Sequence, residues 1–178
     1  MKILGIIPAR FDSTRFPGKP LIDLAGKTMI ERVYTQVKKS NALSDVVVAT
    51  DDKRIFDTVK AFKGEAILTS RKHQSGTDRC AEVSKKIVGY DVIINIQGDE
   101  PLIDPKQINL VANCFNDIET ELATLVKKIE KKEELFNYNT PKVLLNKKSE
   151  AIYFSRQVIP YLKNIAPDDF LNRYTFYK

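Results

Sequence analysis

The chain has 178 residues, 43% hydrophobic and 29% charged, a balance that suits one soluble globular domain. Its longest apolar stretches, such as Val46-Val47-Val48-Ala49, fall far short of the roughly 20 residues a membrane helix needs, and residues 1–8 read as a first strand rather than a signal peptide. His73 is the only histidine, which excludes His-rich zinc centres, while Cys80 and Cys114 share no metal spacing and suit a reducing cytoplasm. The net charge of +6 gathers in Lys127, Lys128, Lys131, Lys132, Lys147 and Lys148 without interleaved aromatics, so a solvated face is expected there rather than a nucleic-acid track.

Apolar runs of strand length alternate with segments of helical period. Residues 2–8 read as a strand, and 28–39 as a helix with Met29, Ile30, Val33 and Val37 on one face. A strand over 45–50 is followed by a helix over 52–62 carrying Ile55, Val59 and Phe62, then a short strand over 66–69. Residues 77–88 read as a helix with Ala81, Ser84 and Val88 on one face, and 91–97 as a strand. Residues 104–115 form a helix capped by Asp104, with Pro105 at its first position. The β-branched runs Val46-Val47-Val48 and Val92-Ile93-Ile94 suit strands buried on both faces. Alternation with helices implies an α/β fold with a mostly parallel central sheet. Beyond Glu119 the pattern predicts short strands over 122–126, 142–145 and 152–154 and a helical turn over 133–136. No repeat or linker interrupts the chain, so 1–178 reads as a single domain.

Open parallel sheets bind ligands at the carboxyl ends of their strands, and polar residues collect at four such ends. After the first strand comes Pro8-Ala9-Arg10-Phe11-Asp12-Ser13-Thr14-Arg15-Phe16-Pro17-Gly18-Lys19-Pro20, which puts Arg10, Arg15 and Lys19 in one loop with two hydroxyls. Guanidiniums fork onto phosphate oxygens and an ammonium adds a mobile charge, so this loop suits a triphosphate. The alternative is a solvated loop whose prolines only fix turns. No P-loop or dinucleotide motif is present. Asn95-Ile96-Gln97-Gly98-Asp99-Glu100-Pro101 ends another strand, and Asp99, facing a phosphate loop, is placed to hold Mg²⁺ with phosphate oxygens and water; a turn with solvated acids is the alternative. Glu100 is weighted below Asp99. In His73-Gln74-Ser75-Gly76-Thr77-Asp78-Arg79, Ser75 or Thr77 can cap a helix and Gly76 permits close approach of a ligand. His73 lacks any evident orienting carboxylate. Asp52, in Thr50-Asp51-Asp52, reads as a helix cap.

The segments PARFDSTRFPGKPL, VATDD, HQSGTDR, NIQGDEPLI and AIYFSRQVIPY resemble, in order and spacing, the 3-deoxy-manno-octulosonate (KDO) cytidylyltransferases. The resemblance spans essentially the whole chain. CMP-sialic acid synthetases share the form of the first loop but not, as a set, the HQSGTDR and NIQGDEP segments. The resemblance implies a Rossmann-like nucleotide-diphospho-sugar transferase fold, CTP as donor, an acidic KDO-like sugar as acceptor, Mg²⁺ as cofactor and a role in lipopolysaccharide biosynthesis. It also implies a cytoplasmic homodimer acting on neither nucleic acid nor membrane. Carried over by position, Ala9, Arg10, Ser13, Arg15 and Lys19 belong to the triphosphate loop, Asp99 to the metal site and Gln97 to the acceptor contact. Ser75 and Gly76 lie in the segment beside the cytosine and ribose, and Arg156 lies near the acceptor carboxylate. The catalytic set so implied is Arg10, Arg15, Lys19 and Asp99. The family pattern runs on past Tyr177-Lys178 into a His-Ile-Gly-Ile-Tyr-like strand, a dimer-forming segment and a second metal-binding aspartate, so the chain is expected to lack a carboxyl-terminal part. Tyr174, Phe176 and Tyr177 then read as the start of a strand without its neighbours. Two other readings stand beside this one: a cytidylyltransferase for 8-amino-KDO or sialic acid, and a non-catalytic nucleotide-binding domain.

Overall fold

A computed structural model describes residues 1–12 and 16–178, which form two compact units, Met1–Ala123 and Thr124–Lys178. In the first unit, strands β1 (Ile3–Ala9), β2 (Asp45–Thr50), β3 (Ala66–Leu68) and β4 (Val92–Asn95) make one parallel sheet in the order β3-β2-β1-β4. The strand expected over 91–97 closes early. Ile96 N still donates to Ile6 O at 2.9 Å, but the chain then turns out of the sheet into Gln97 and Gly98.

Each helix begins where a short polar side chain can satisfy a free backbone N–H. Thr28 caps α1 (Met29–Val37), Asp52 caps α2 (Lys53–Ala61), Ser75 caps α3 (Gly76–Lys86) and Asp104 caps α4 (Pro105–Cys114). Side chains of β1 alternate between the two faces of the sheet. Ile3, Ile7 and Ala9 pack with Ile30, Val33 and Val37 of α1, Ile55 and Val59 of α2, and Ile108 and Ala112 of α4. Leu4 and Ile6 pack on the other face with Val47, Ala49 and, from α3, Cys80 and Val83. Burying one such aliphatic side chain contributes about 1.5–3 kcal/mol. Exposed pairs such as Lys53–Asp57 (2.8 Å) contribute about 0–1 kcal/mol, so the apolar faces hold the helices to the sheet.

The expected face of α3 was misplaced. Val88 lies outside the helix and is 81% exposed, and the buried residues are Arg79, Cys80 and Val83. Arg79 is charged, so an apolar period read from sequence steps over it, yet it is buried because partners outside the helix receive it.

The second unit has its own small core of Ile129, Leu135, Phe170 and Phe176, with the Phe170 and Phe176 rings stacked at 6.3 Å. It contains α5 (Lys132–Phe136), an antiparallel pair β5 (Lys142–Leu145) and β6 (Ala151–Ser155), and a last turn α6 (Phe170–Arg173). The strand expected over 122–126 is not formed. Leu122 is 93% exposed, and pairing begins instead at Lys127, which exchanges backbone hydrogen bonds with Lys178 at 2.8 and 2.9 Å. Tyr177, expected to lack neighbours, bridges both Lys128 and Val143.

Candidate active site at the carboxyl ends of β1 and β4

The chain leaves β1 toward β2 on one side, and β4 later pairs on the other, so β1 and β4 flank the point where strand order reverses. Loops diverge there and leave a crevice. A cleft of about 610 Å³ opens at this point, lined by segments from β1, β4 and the start of α3.

The loop after β1 supplies Pro8, Ala9, Arg10, Phe16 and Lys19 to the cleft. Ala9 is buried at the strand end, whereas Arg10 is exposed. The loop doubles back through Gly18, whose φ of 72° favours glycine and whose N–H donates to Phe11 O at 2.8 Å. The Arg54 guanidinium lies 3.3 Å from the centroid of the Phe11 ring, and Asp52 in turn holds Arg54 through contacts of 2.9 and 2.6 Å. Hydrogen bonding to Arg54 holds the Asp52 carboxyl below the usual carboxylate range, and its Oδ1 accepts from Arg54 N, so the expected cap is present. Ser13 and Arg15 lie outside the described residues.

From β4 come Gln97, Gly98 and Asp99. A Cβ on Gly98 would stand 2.8 Å from Pro8 O, too close for any side chain without backbone movement. At this glycine, within the described residues, it is the end of β1 that approaches the backbone. Asp99 Oδ2 lies within 2.6 Å of Lys19 Nζ, with the two side chains 51% and 40% exposed. Glu100 is exposed and is not among the cleft-lining residues; its carbonyl closes a turn with Ile103 N at 3.1 Å.

The third wall is His73, Gln74, Ser75, Gly76 and Arg79. Ser75 both lines the cleft and caps α3: its hydroxyl accepts from Asp78 N at 3.1 Å and donates to Asp78 Oδ2 at 2.7 Å. Gly76 lets the helix start lie against the Pro8 ring, where a Cβ would meet Pro8 Cγ at 3.2 Å. The roles of two residues, Arg79 and Glu82, escaped the sequence reading. Arg79 is 3% exposed and donates to Asp51 Oδ2 at 2.8 Å and to Thr69 Oγ1. Glu82 contacts His73 Nε2, so the histidine does have a carboxylate partner, nine residues along the chain. Hydrogen bonds from Lys86, from Ser70 N and from His73 draw the Glu82 carboxyl down to about 2. The available signal was charged residues at the buried period of α3.

Arg156 lies in the second unit, where its Nη1 donates to Tyr138 O and Asn139 O at 3.2 and 2.8 Å. Lys142, 1% exposed, ties Arg156 O to the same turn by donating to it at 3.0 Å and to Asn137 O at 2.7 Å; burial holds its ammonium below the usual lysine range.

Among the described residues no cluster of three or more His, Cys, Asp or Glu side chains could hold a metal by itself. Among the described residues, too, no helix is long and apolar enough to cross a membrane. The cleft thus combines cations, one carboxylate and backbone at a helix start, a surface for a phosphorylated ligand.

Residues 4–178 match the cytidylyltransferase family. A 3-deoxy-manno-octulosonate cytidylyltransferase of Parabacteroides distasonis is 56% identical over 183 residues, covering 100% of this chain and 72% of that protein. One from Bacteroides thetaiotaomicron is 55% identical over 182 residues, with the same two coverages of 100% and 72%. A solved structure of CMP:2-keto-3-deoxy-manno-octonic acid synthetase complexed with CTP superposes with a TM-score of 0.91 at 40% identity, covering 99% of this chain and 70% of that one. The chain belongs to the cytidylyltransferase family and, within it, to the 3-deoxy-manno-octulosonate cytidylyltransferases.

Proposed function

We propose that this protein transfers CMP from CTP to the anomeric hydroxyl of KDO and releases pyrophosphate, a step of lipopolysaccharide biosynthesis, with both units serving one nucleotidyltransferase domain. The observation that carries the reading is the meeting of Lys19 and Asp99 across the switch-point cleft, 2.6 Å apart, in a chain of this family. The sugar oxygen forms a bond to the α-phosphorus, the bond from that phosphorus to pyrophosphate breaks, and the hydroxyl proton passes to water. Such a reaction is helped chiefly by positioning and charge neutralisation.

Arg10, Arg15 and Lys19 hold the triphosphate, with Ser13 and the Ala9 backbone beside it. Ser75 and Gly76 face the nucleoside, Gln97 faces the acceptor and Arg156 pairs with its carboxylate. Mg²⁺ fits the donor set. Asp99 already presents an oxygen to a cation, the Lys19 ammonium, and Mg²⁺ commonly binds through one or two carboxylates completed by phosphate oxygens and water. When bound, it supplies neutralisation of charge at the reacting phosphate. The requirement for CTP and two unpaired cysteines support a cytoplasmic location, and sedimentation of the protein tests the homodimer implied by the family.

The test is pyrophosphate release with CTP, Mg²⁺ and a panel of KDO, 8-amino-KDO and sialic acid, with release expected for KDO. MgCTP should also raise the melting temperature more than MgATP or MgGTP, since a hundredfold excess over Kd stabilises by about 2.7 kcal/mol. Equal shifts for all three nucleotides would refute the cytidine assignment.

A further inference from the structure

The cleft wall of His73, Gln74 and Ser75 belongs to the loop over residues 70–75 between β3 and α3, and the attachment of that loop to the helix runs through one side chain. Glu82 Oε2 accepts from the backbone N–H of Ser70 at 2.9 Å and contacts His73 Nε2. Its other oxygen, Oε1, pairs with Lys86 Nζ at 2.5 Å, and Lys86 also donates to Leu68 O at 3.2 Å. Both ends of the loop's first turn therefore converge on a single carboxylate oxygen, while the second oxygen faces outward to a half-exposed lysine. His73 and Glu82 are each about one-fifth exposed, a setting in which such bonds resist competition from water better than at a free surface. Arg79 holds Thr69 at the β3 end of the loop, and the capping box of Ser75 fixes its other end. Without Glu82, residues 70–74 between them would keep, among the described residues, weak anchors such as the 3.5 Å contact of Arg71 Nε with Asp51 O.

We infer that Glu82 is a positioning residue of the nucleotide site: it holds His73, Gln74 and Ser75 in place as the cleft wall without touching the ligand. This rests on the reading of the cleft as a CTP site. Because both loop contacts use one oxygen, the carbonyl of a glutamine can serve in its place, whereas alanine offers nothing.

The experiment compares wild type with Glu82→Ala, Glu82→Gln and Lys86→Ala in the whole protein, by steady-state kinetics and by amide hydrogen exchange without nucleotide. Glu82→Ala should raise the KM for CTP about tenfold, the size expected for losing one or two hydrogen bonds of the clamp, and leave kcat within about twofold. Its Ser70 amide should exchange about tenfold faster while the core strands keep their protection. Glu82→Gln should recover most of the CTP affinity, and Lys86→Ala should match wild type. The inference is overturned if Glu82→Ala loosens the loop yet leaves KM unchanged, if its loss falls on kcat alone, or if glutamine is as damaging as alanine. Wild-type protein that ignores CTP altogether would instead defeat the reading of the site, and this inference with it, whatever the exchange at Ser70.

Discussion

Lys19 and Asp99 serve as each other's counterion. Both are roughly half exposed, and an exposed pair of this kind contributes at most about 1 kcal/mol, so a triphosphate with its metal can separate them at little cost. In the proposed site each partner would then find an opposite charge, Lys19 a phosphate and Asp99 the cation. Asp99→Asn should thus have two opposed effects. Metal-free CTP should bind at least as tightly as to wild type, because Lys19 is released, while the gain in affinity on adding Mg²⁺ should shrink at least about tenfold, the size of one lost charge-assisted contact. Calorimetric titrations with CTP in EDTA and in Mg²⁺ measure both. An undiminished gain from Mg²⁺ would remove Asp99 from the metal site.

Helix α3 shows which features a sequence discloses and which it hides. Its start was legible to within a residue, with Ser75 or Thr77 as its cap; the folded chain uses Ser75, whose hydroxyl meets Asp78 three residues on. Its buried face was not, because Arg79 depends on Asp51 and Thr69, which only folding brings near. The same division runs through the site: the cationic loop after β1 and Asp99 stand in contiguous motifs, whereas Glu82 acquires meaning only opposite His73. Strands β2 and β4 were legible from their β-branched runs, whereas residues 122–126 form no strand and are mostly exposed. The buried face of α3 also fixes thiol chemistry. Cys80 packs against Leu4 and Ile6, and burial pushes its thiol up to about 11, whereas Cys114 on α4 is exposed. A disulfide reagent at neutral pH should therefore modify one thiol per native chain, Cys114, and reach Cys80 only on unfolding. Rapid reaction of both in the folded protein would contradict this packing of α3.

At the scale of the molecule, two cores are joined by a stretch with little to protect it. Residues 116–126 are mostly exposed and carry no helix or strand ladder, with Ile118 and Leu122 each 93% exposed. Such segments are preferred sites of proteolysis. A glutamate-specific protease at low ratio should cut first at Glu119 or Glu121, a result read by mass spectrometry; first cuts at Glu31 inside α1 or Glu82 inside α3 would contradict the division. Within the first unit, the contact of Gly98 with Pro8 O has a further consequence for how such a site can change over generations. The separation of the lysine-bearing loop from the aspartate-bearing loop is set by one main chain resting on another. Side chains around the cleft can be exchanged one at a time without altering that gauge, whereas any residue but glycine at position 98 would force the two main chains apart.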